Sequence, residues 1–503
     1  MKIKKFTLFS LLLFVSIVAQ SQVDGAYGYY QDALLFSRTY QAGTARMMGI
    51  GGTQMSLGGD LSSASSNPAG LGFFRRSSLS ITPSFNVHNT SSSYLGNSTE
   101  DFTTNFNIGH LGAAFYLESN DTNSKFKGGT FSITMTRVND FYNDTYYDNY
   151  NNDNSIIDSY MDRALGIPAD QLEGDLFDAY NHYLINPYTA VDAETGEEYT
   201  AYDSFVTGLP RQEEYLITSG KQYQWDFAYG GNYNDILFFG LSAGVSTIDY
   251  WKESSYYESE FENDGTPDEA LNLYNTANTL KLDGVGINST FGIIVRPVNA
   301  FRFGISAKTP TYYSIKETSS ESFYTEYNNF EYAPDTLLND FYDEYSSYSK
   351  YELVTPWKFS AGGSIFLGKF AFITADIDYI DYTSMKIKTR DFNTDADNET
   401  IKLLYQSTFN YRLGAELRIG PMRFRGGYNY MGDPYINSTL DNSITRLSAG
   451  IGFRSKTMFV DFSAIQTKSN SVRQPYAFYD GSGPLGSTEN ESYNVSMTLG
   501  FNF

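Results

Sequence analysis

The stretch YNVSMTLGFNF, residues 493–503, decides how the rest of the chain is read. Tyr493, Val495, Met497, Leu499, Phe501 and Phe503 alternate with Asn494, Ser496, Thr498, Gly500 and Asn502. Successive side chains of a strand point to opposite faces, so an extended backbone gives this segment one apolar face and one small or polar face. Two environments satisfy such a strand: a half-buried soluble sheet, or a membrane in which one face meets lipid.

The same alternation returns along the chain. Phe409, Tyr411, Leu413, Ala415, Leu417 and Ile419 face away from Asn410, Arg412, Gly414, Glu416 and Arg418, and similar runs occupy 223–229, 285–295 and 447–453. Strands are predicted near 79–88, 103–117, 128–142, 221–233, 236–252, 279–296, 301–316, 350–367, 369–387, 400–419, 421–431, 443–454, 458–470 and 491–503. Tight turns fall at 233–235, 297–299, 367–369, 419–421 and 454–456, and polar loops of roughly ten to eighty residues lie between them. An even strand count with short turns at one end and long loops at the other is the pattern of a bacterial outer-membrane barrel. The expected fold is therefore all-β: an antiparallel transmembrane β-barrel of about fourteen strands over 79–503.

Composition agrees with this reading. The chain has 43 Tyr, 38 Phe and 43 Gly at a mean hydropathy of -0.37, and tyrosine suits both strands and membrane-interface girdles. A net charge of -23 excludes a nucleic-acid partner, which demands a basic face. The absence of cysteine removes disulfides, metal thiolates and thiol catalysis together. Lys2, Lys4 and Lys5, an uncharged run from Phe6 to Ala19 and the small residues Ala19 and Ser21 predict a secretory signal peptide over 1–21. That run is too short to span a bilayer, which takes ~20 apolar residues.

The longest loop, 143–220, holds sixteen acidic residues against Arg163 and Arg211, and so carries most of the negative charge. Leu172, Leu176, Phe177, Tyr180 and Leu184 recur at helical spacing after Pro168, preceded by a second amphipathic run that includes Tyr160. These helices pack on each other as a loop core, or offer a greasy capture groove for a ligand at Tyr160, Leu172, Leu176, Phe177, Tyr180 and Leu184. Residues 22–78 do not alternate. Glycines at 49, 51, 52, 58 and 59 suit a compact irregular backbone, and an N-terminal plug (hatch) folded inside the lumen is expected, since a barrel this wide would otherwise leak.

Arg46 with the glycine cluster at 49–52, Asp60, and Asn67, Pro68, Ala69, Gly70 and Leu71 in the plug resemble the FadL-type long-chain fatty acid and hydrocarbon transporters of the outer membrane. The resemblance covers essentially the whole mature chain. It implies passive uptake of a hydrophobic small molecule, most simply a long-chain fatty acid, by loop capture, plug movement and sideways release through a kink in the third strand. Here Phe131, Ile133 and Met135 share a face on which Arg137 comes next. An arginine in lipid at mid-depth costs roughly 2 to 4 kcal/mol, so a bulge or inward bend at Thr136, Arg137 and Val138 is expected, unless Arg137 already sits at the interface. Some relatives of this barrel are docking shuttles of a protein secretion system, which is the alternative function.

Other chemistry is weaker. GLSAG at 240–244 matches a hydrolase elbow around Ser242, but that motif needs a turn from strand into helix, and Ser242 is read within a strand. His88, His110 and His182 lack metal-ligand spacing, and the acidic loops lack the order of a calcium loop. No enzyme activity, cofactor or metal is expected. The lumen charges Asp376, Asp378, Arg412, Glu416, Arg418, Arg423 and Arg425 are read as holding the plug. The remaining expected partners are outer-membrane lipid and lipopolysaccharide around a monomer, and the outer-membrane assembly machinery, read through the terminal Phe503.

Overall fold

The computed structural model describes residues 26–119, 121, 123–263, 266–268, 270–436 and 440–503, and the expected signal peptide over 1–21 lies outside the described residues. Fourteen antiparallel strands close into one barrel. The first four are Ser78–Tyr94, Asn97–Glu118, Phe126–Asp140 with its continuation Asn143–Tyr150, and Leu209–Tyr233. The fifth and sixth are Leu237–Asn263 and Leu271–Val298, and the seventh runs as Phe301–Lys308 and Tyr312–Ala333. The eighth is Thr336–Val354 with Lys358–Leu367, and the ninth Ala371–Asp381 with Lys386–Lys388. Ser407–Ile419, Met422–Met431, Ile444–Arg454, Met458–Arg473 and Gly486–Asn502 complete the set.

The stretch that opened the analysis is the closing strand. It pairs with the first strand from Ser78↔Asn502 to Tyr94↔Gly486, so the sheet has no edge within the bilayer. That matters because an unpaired backbone N–H or C=O in hydrocarbon costs several kcal/mol. The alternation sorts as a membrane barrel requires. Leu413 is 55% exposed on the outer wall while Arg412 beside it is 2% exposed on the inner wall.

Four segments depart from the expected layout. Residues 89–102 and 317–349 are paired ribbons rather than loops, turning at Leu95-Gly96 and Pro334-Asp335. Leu95 and Gly96 both take positive φ, 47° and 88°, as a two-residue hairpin demands. Most side chains of these ribbons are polar, and their scattered core residues, such as Phe323, Tyr327 and Leu338, set no apolar period although the backbones pair. The longest loop is likewise shortened at its ends, where Asn143–Tyr150 pairs with Arg211–Thr218. The start of the expected strand at 400–419 is instead helical. Asp395–Leu404 forms an α-helix that buries Ile401 and Leu404, three residues apart on one face.

Two apolar cores follow. One fills a cap formed by the long loops above the wall, and the other lies in the lumen around the helix Tyr29–Ser37. Leu413→Arg is expected to destabilise the barrel by about 2 to 4 kcal/mol, and Leu337→Arg, exposed at the tip of the 317–349 ribbon, by under about 0.5 kcal/mol. Equilibrium unfolding from lipid vesicles measures both.

Candidate functional site

Residues 44–73 fill the inner end of the barrel and bond to the wall in nearly every direction. Ala45 N donates to Thr498 Oγ1 on the fourteenth strand at 2.7 Å, and Gly51 N to Ser448 Oγ on the twelfth at 2.9 Å. Asp376 on the ninth accepts from the backbone N–H of Gln54 and Met55. Arg302 and Ser306 on the seventh donate to the carbonyls of Leu57 and Ser66. Arg46 sits 3.6 Å from Asp60, which also accepts from Ser62 N and so shapes the turn.

The lumen charges divide between plug and wall. Asp376 holds the plug directly. Arg412 is bidentate on Asp378 at 2.5 and 2.7 Å, and Arg425 bridges Glu416 and Asp461 at 2.7 Å each, pairs made between wall strands. Arg418 also pairs with Glu416, whereas Arg423 donates to the carbonyls of Gly420 and Met422.

Asn67, Pro68, Ala69, Gly70 and Leu71 are all buried. Asn67 Oδ1 accepts from Ala69 N, capping the 3-10 turn Pro68–Phe73, while its Nδ2 donates to Met55 O at 2.7 Å and reaches Ile305 O at 3.3 Å on the wall. The wall meets this turn with glycine. A Cβ at Gly292 would collide with Asn67 Oδ1, and one at Gly240 with the Pro68 carbonyl carbon. The turn therefore rests on bare backbone.

Thr136, Arg137 and Val138 lie where the third strand bulges. Against the fourth strand Arg137 pairs with Tyr223 but Asn139 pairs with Gln222, so Val138 is the extra residue. The Arg137 side chain is 8% exposed, and Nη2 donates to Asp140 Oδ1 at 3.0 Å and Gly220 O at 2.9 Å. Against the second strand, regular pairing ends at His110↔Thr136. Above that level side chains replace the ladder. Asp140 accepts from Asn105 Nδ2 at 2.9 Å and Asn86 Nδ2 at 2.5 Å, and latches a window between the second and third strands.

A cavity of about 390 Å³ adjoins the bulge. Leu35, Tyr40 and Met48 of the N-terminal segment line it together with Arg137, Val138 and Asp140, as do His88, Asn494 and Arg446 of the wall. Tyr40 N donates to Val138 O at 3.0 Å, tying the segment to the bulge itself. The helix Tyr29–Ser37 lies on the other side of this junction, its Phe36 packed edge-on against Phe141 and Tyr250.

The loop residues lie elsewhere. Tyr160, Leu172, Leu176 and Leu184 are buried in the cap core, Tyr180 packs against it, and Phe177 is exposed. Tyr274, Phe323, Tyr327 and Leu338, rising from the wall strands, complete that core. Ser155 caps the helix Ile156–Ala164, and Glu258 accepts from Ser155 Oγ at 2.6 Å and Ile156 N at 2.8 Å. Burial raises the Glu258 carboxyl from 4.5 to about 7. Ser242 lies mid-strand on the inner wall and donates to Asp226 at 3.1 Å.

The structure thus keeps the three predicted groups apart: the motif at the base, the bulge at the window, the loop residues in the cap. Asp140, Tyr40 and Arg446 were not singled out from sequence. A charged residue at an inward position of an alternating strand, as Arg446 is beside Leu447, was the available signal.

No family model and no curated sequence matches the chain. Among solved structures it is similar to a FadL homologue of Pseudomonas aeruginosa, at 11% identity over 93% of this chain and 99% of that one, with a TM-score of 0.56. It is also similar to the toluene transporter TodX of Pseudomonas putida, at 11% identity over 92% and 99% of the two chains, with a TM-score of 0.53. The likeness is one of fold.

Gly292→Ala is expected to displace Asn67 and to raise ion conductance in planar bilayers several-fold, with the barrel still migrating as folded. Unchanged conductance would mean that the motif does not seal the lumen. The folded cap holds the Glu258 proton more tightly than the unfolded chain does. Its stabilisation is complete below about pH 4.5 and is lost as pH rises through about 7. Amide exchange in 156–164, corrected for intrinsic rates, should speed up across that window, and Glu258→Gln should flatten the dependence.

Proposed function

We propose that this chain is a passive outer-membrane channel of the FadL type for hydrophobic ligands, with long-chain fatty acids as the leading substrate. The observation that carries the reading is the coincidence of three features at one place: a bulge at Val138, a ladder that stops at Thr136, and a cavity of about 390 Å³ behind both. That volume falls within the roughly 300–1,000 Å³ of small-molecule sites. A ligand in the cavity leaves sideways once the donors around Asp140 let go. The Tyr40–Val138 bond links that event to movement of the plug segment, residues 22–78. The fold likeness to a toluene transporter and a FadL homologue supports the same reading. A long chain gains about 0.8 kcal/mol for each buried methylene, so partitioning drives entry without an energy source.

Capture at Tyr160, Leu172, Leu176, Phe177, Tyr180 and Leu184 requires the cap to open, because Phe177 alone among them is exposed. The closed cap favours a second reading, in which the acidic, tyrosine-rich loops dock a protein above a sealed barrel. In either case Phe503 is the feature offered to the assembly machinery.

Uptake of radiolabelled oleate and toluene separates the two readings. Cells carrying the protein should take up at least one faster than cells lacking it. The double variant Asn67→Ala, Pro68→Ala should lose saturable uptake. Deleting Val138, which restores the register and closes the window, should lower uptake about tenfold in a barrel that still folds. Equal uptake in every strain would leave docking as the function.

A further inference from the structure

The outer wall changes character along one row of cross-strand neighbours. From the fourth strand to the eighth that row reads Lys221, Asp249, Asp283, Lys316 and Lys350. Four residues nearer the short turns, on the same outward face, stand Trp225, Val245, Ile287, Tyr312 and Val354. Aromatic and aliphatic side chains thus give way to charge at one level, where hydrocarbon ends and lipid head groups begin.

The charges at this level are unevenly matched. Lys221 and Lys281 each place Nζ 3.4 Å from a carboxylate, on Asp249 and Asp283 respectively. Lys316 and Lys350 instead face each other directly across the ladder, and among the described residues neither makes an ion pair. Like charges so placed destabilise a sheet. The ninth strand adds Lys386 and Lys388, both exposed and likewise without an ion pair. Asp283, the other neighbour of Lys316, is taken by Lys281. Two further acids lie close: Glu352, opposite Lys388, and Asp391, which accepts from Lys350 N at 3.2 Å. Four lysines against those two carboxylates leave a cationic patch on a chain whose net charge is -23. Two residues beyond Lys350 on the same outward face, away from the hydrocarbon, Tyr348 is 65% exposed.

We infer that this patch is a docking site for a phosphorylated glycolipid of the surrounding leaflet. The two lysine pairs, Lys316 with Lys350 and Lys386 with Lys388, take phosphate groups at the head-group level, and each charge-assisted contact also relieves the repulsion between lysines. The Tyr348 ring offers a flat face to a sugar just outside the phosphates, and the apolar row beneath receives the acyl chains. A lone phospholipid phosphate would satisfy one pair and leave Tyr348 bare. The site stands on the outer wall and is independent of what passes through the lumen.

The test is native mass spectrometry of the full chain in detergent micelles, titrated with an acylated glucosamine disaccharide that carries two phosphates. One molecule should bind saturably. The double variant Lys316→Ser, Lys350→Ser should weaken it roughly 30-fold, at about fivefold per lysine. Lys221→Ser, at the same level three strands away, should leave the affinity unchanged. Lys350→Glu gives Lys316 a partner across the ladder. It should abolish binding while raising the Tm of the lipid-free protein, which keeps the test decisive if the double variant does not fold. Binding that survives both variants, that falls as far in Lys221→Ser, or that is as tight for the dephosphorylated glycolipid overturns the inference. Phosphatidylglycerol or inorganic pyrophosphate binding as tightly as the glycolipid also overturns it, by assigning the lysines to a phospholipid head or a free phosphate.

Discussion

Hydrocarbon offers no water to a backbone N–H, and the pairing of Ser78–Tyr94 with Gly486–Asn502 is how this chain meets that constraint for its whole sheet. Once the sheet is closed, each strand must put apolar side chains outward and can put polar ones inward. The lumen becomes the place where charge is permitted. It also becomes meaningful where the ladder is given up. Between the second and third strands it stops at Thr136, and Asn86, Asn105 and Arg137 converge on Asp140 in its place. Side chains can let go and re-form without unfolding a strand, which a backbone ladder cannot.

The N-terminal segment works by two different kinds of contact. At the base, its backbone lies directly on wall glycines and donates to wall acceptors such as Asp376 and Ser448, a rigid seat without side-chain cushioning. Higher up, Leu34 and Phe36 pack into an apolar cup with Ile248, Leu282, Tyr313 and Tyr351. Between the two, Tyr40 is bonded to the bulge and stacked under Arg446. The base is held on many sides, and the junction at Tyr40 is where the segment touches the bulge and the cavity wall.

The wall was legible in the sequence because lipid imposes period two on every strand, as at 409–419, and both faces of that pattern survive in the structure. The register shift after Arg137 falls where that residue interrupts the apolar face, a position the sequence left open between a bulge and an interfacial arginine. What water surrounds was not legible. Residues 317–349 pair as a ribbon whose few core residues, Phe323, Tyr327 and Leu338, are too widely spaced among polar ones to set a period of two. The helix Asp395–Leu404 hid because Ile401 and Leu404 sit beside a genuine strand and share its hydropathy. The cavity was out of reach for another reason. Arg446, Asp140 and Tyr40 are brought together by barrel closure, across separations that no local pattern encodes.

The glycine seat carries a consequence for biogenesis. A turn that touches wall backbone at Gly240 and Gly292 has no clearance through which to slide, so it cannot be threaded into a finished barrel. The wall must be laid down around it. Residue 45 bonds to residue 498, a separation of 453 along the chain, so the first segment to be made waits for the last before its contacts exist. Contacts of such separation form slowly, and during that wait the barrel is an open sheet with two free edges. The segment is then less a stopper fitted to a bottle than a mandrel on which the bottle is formed.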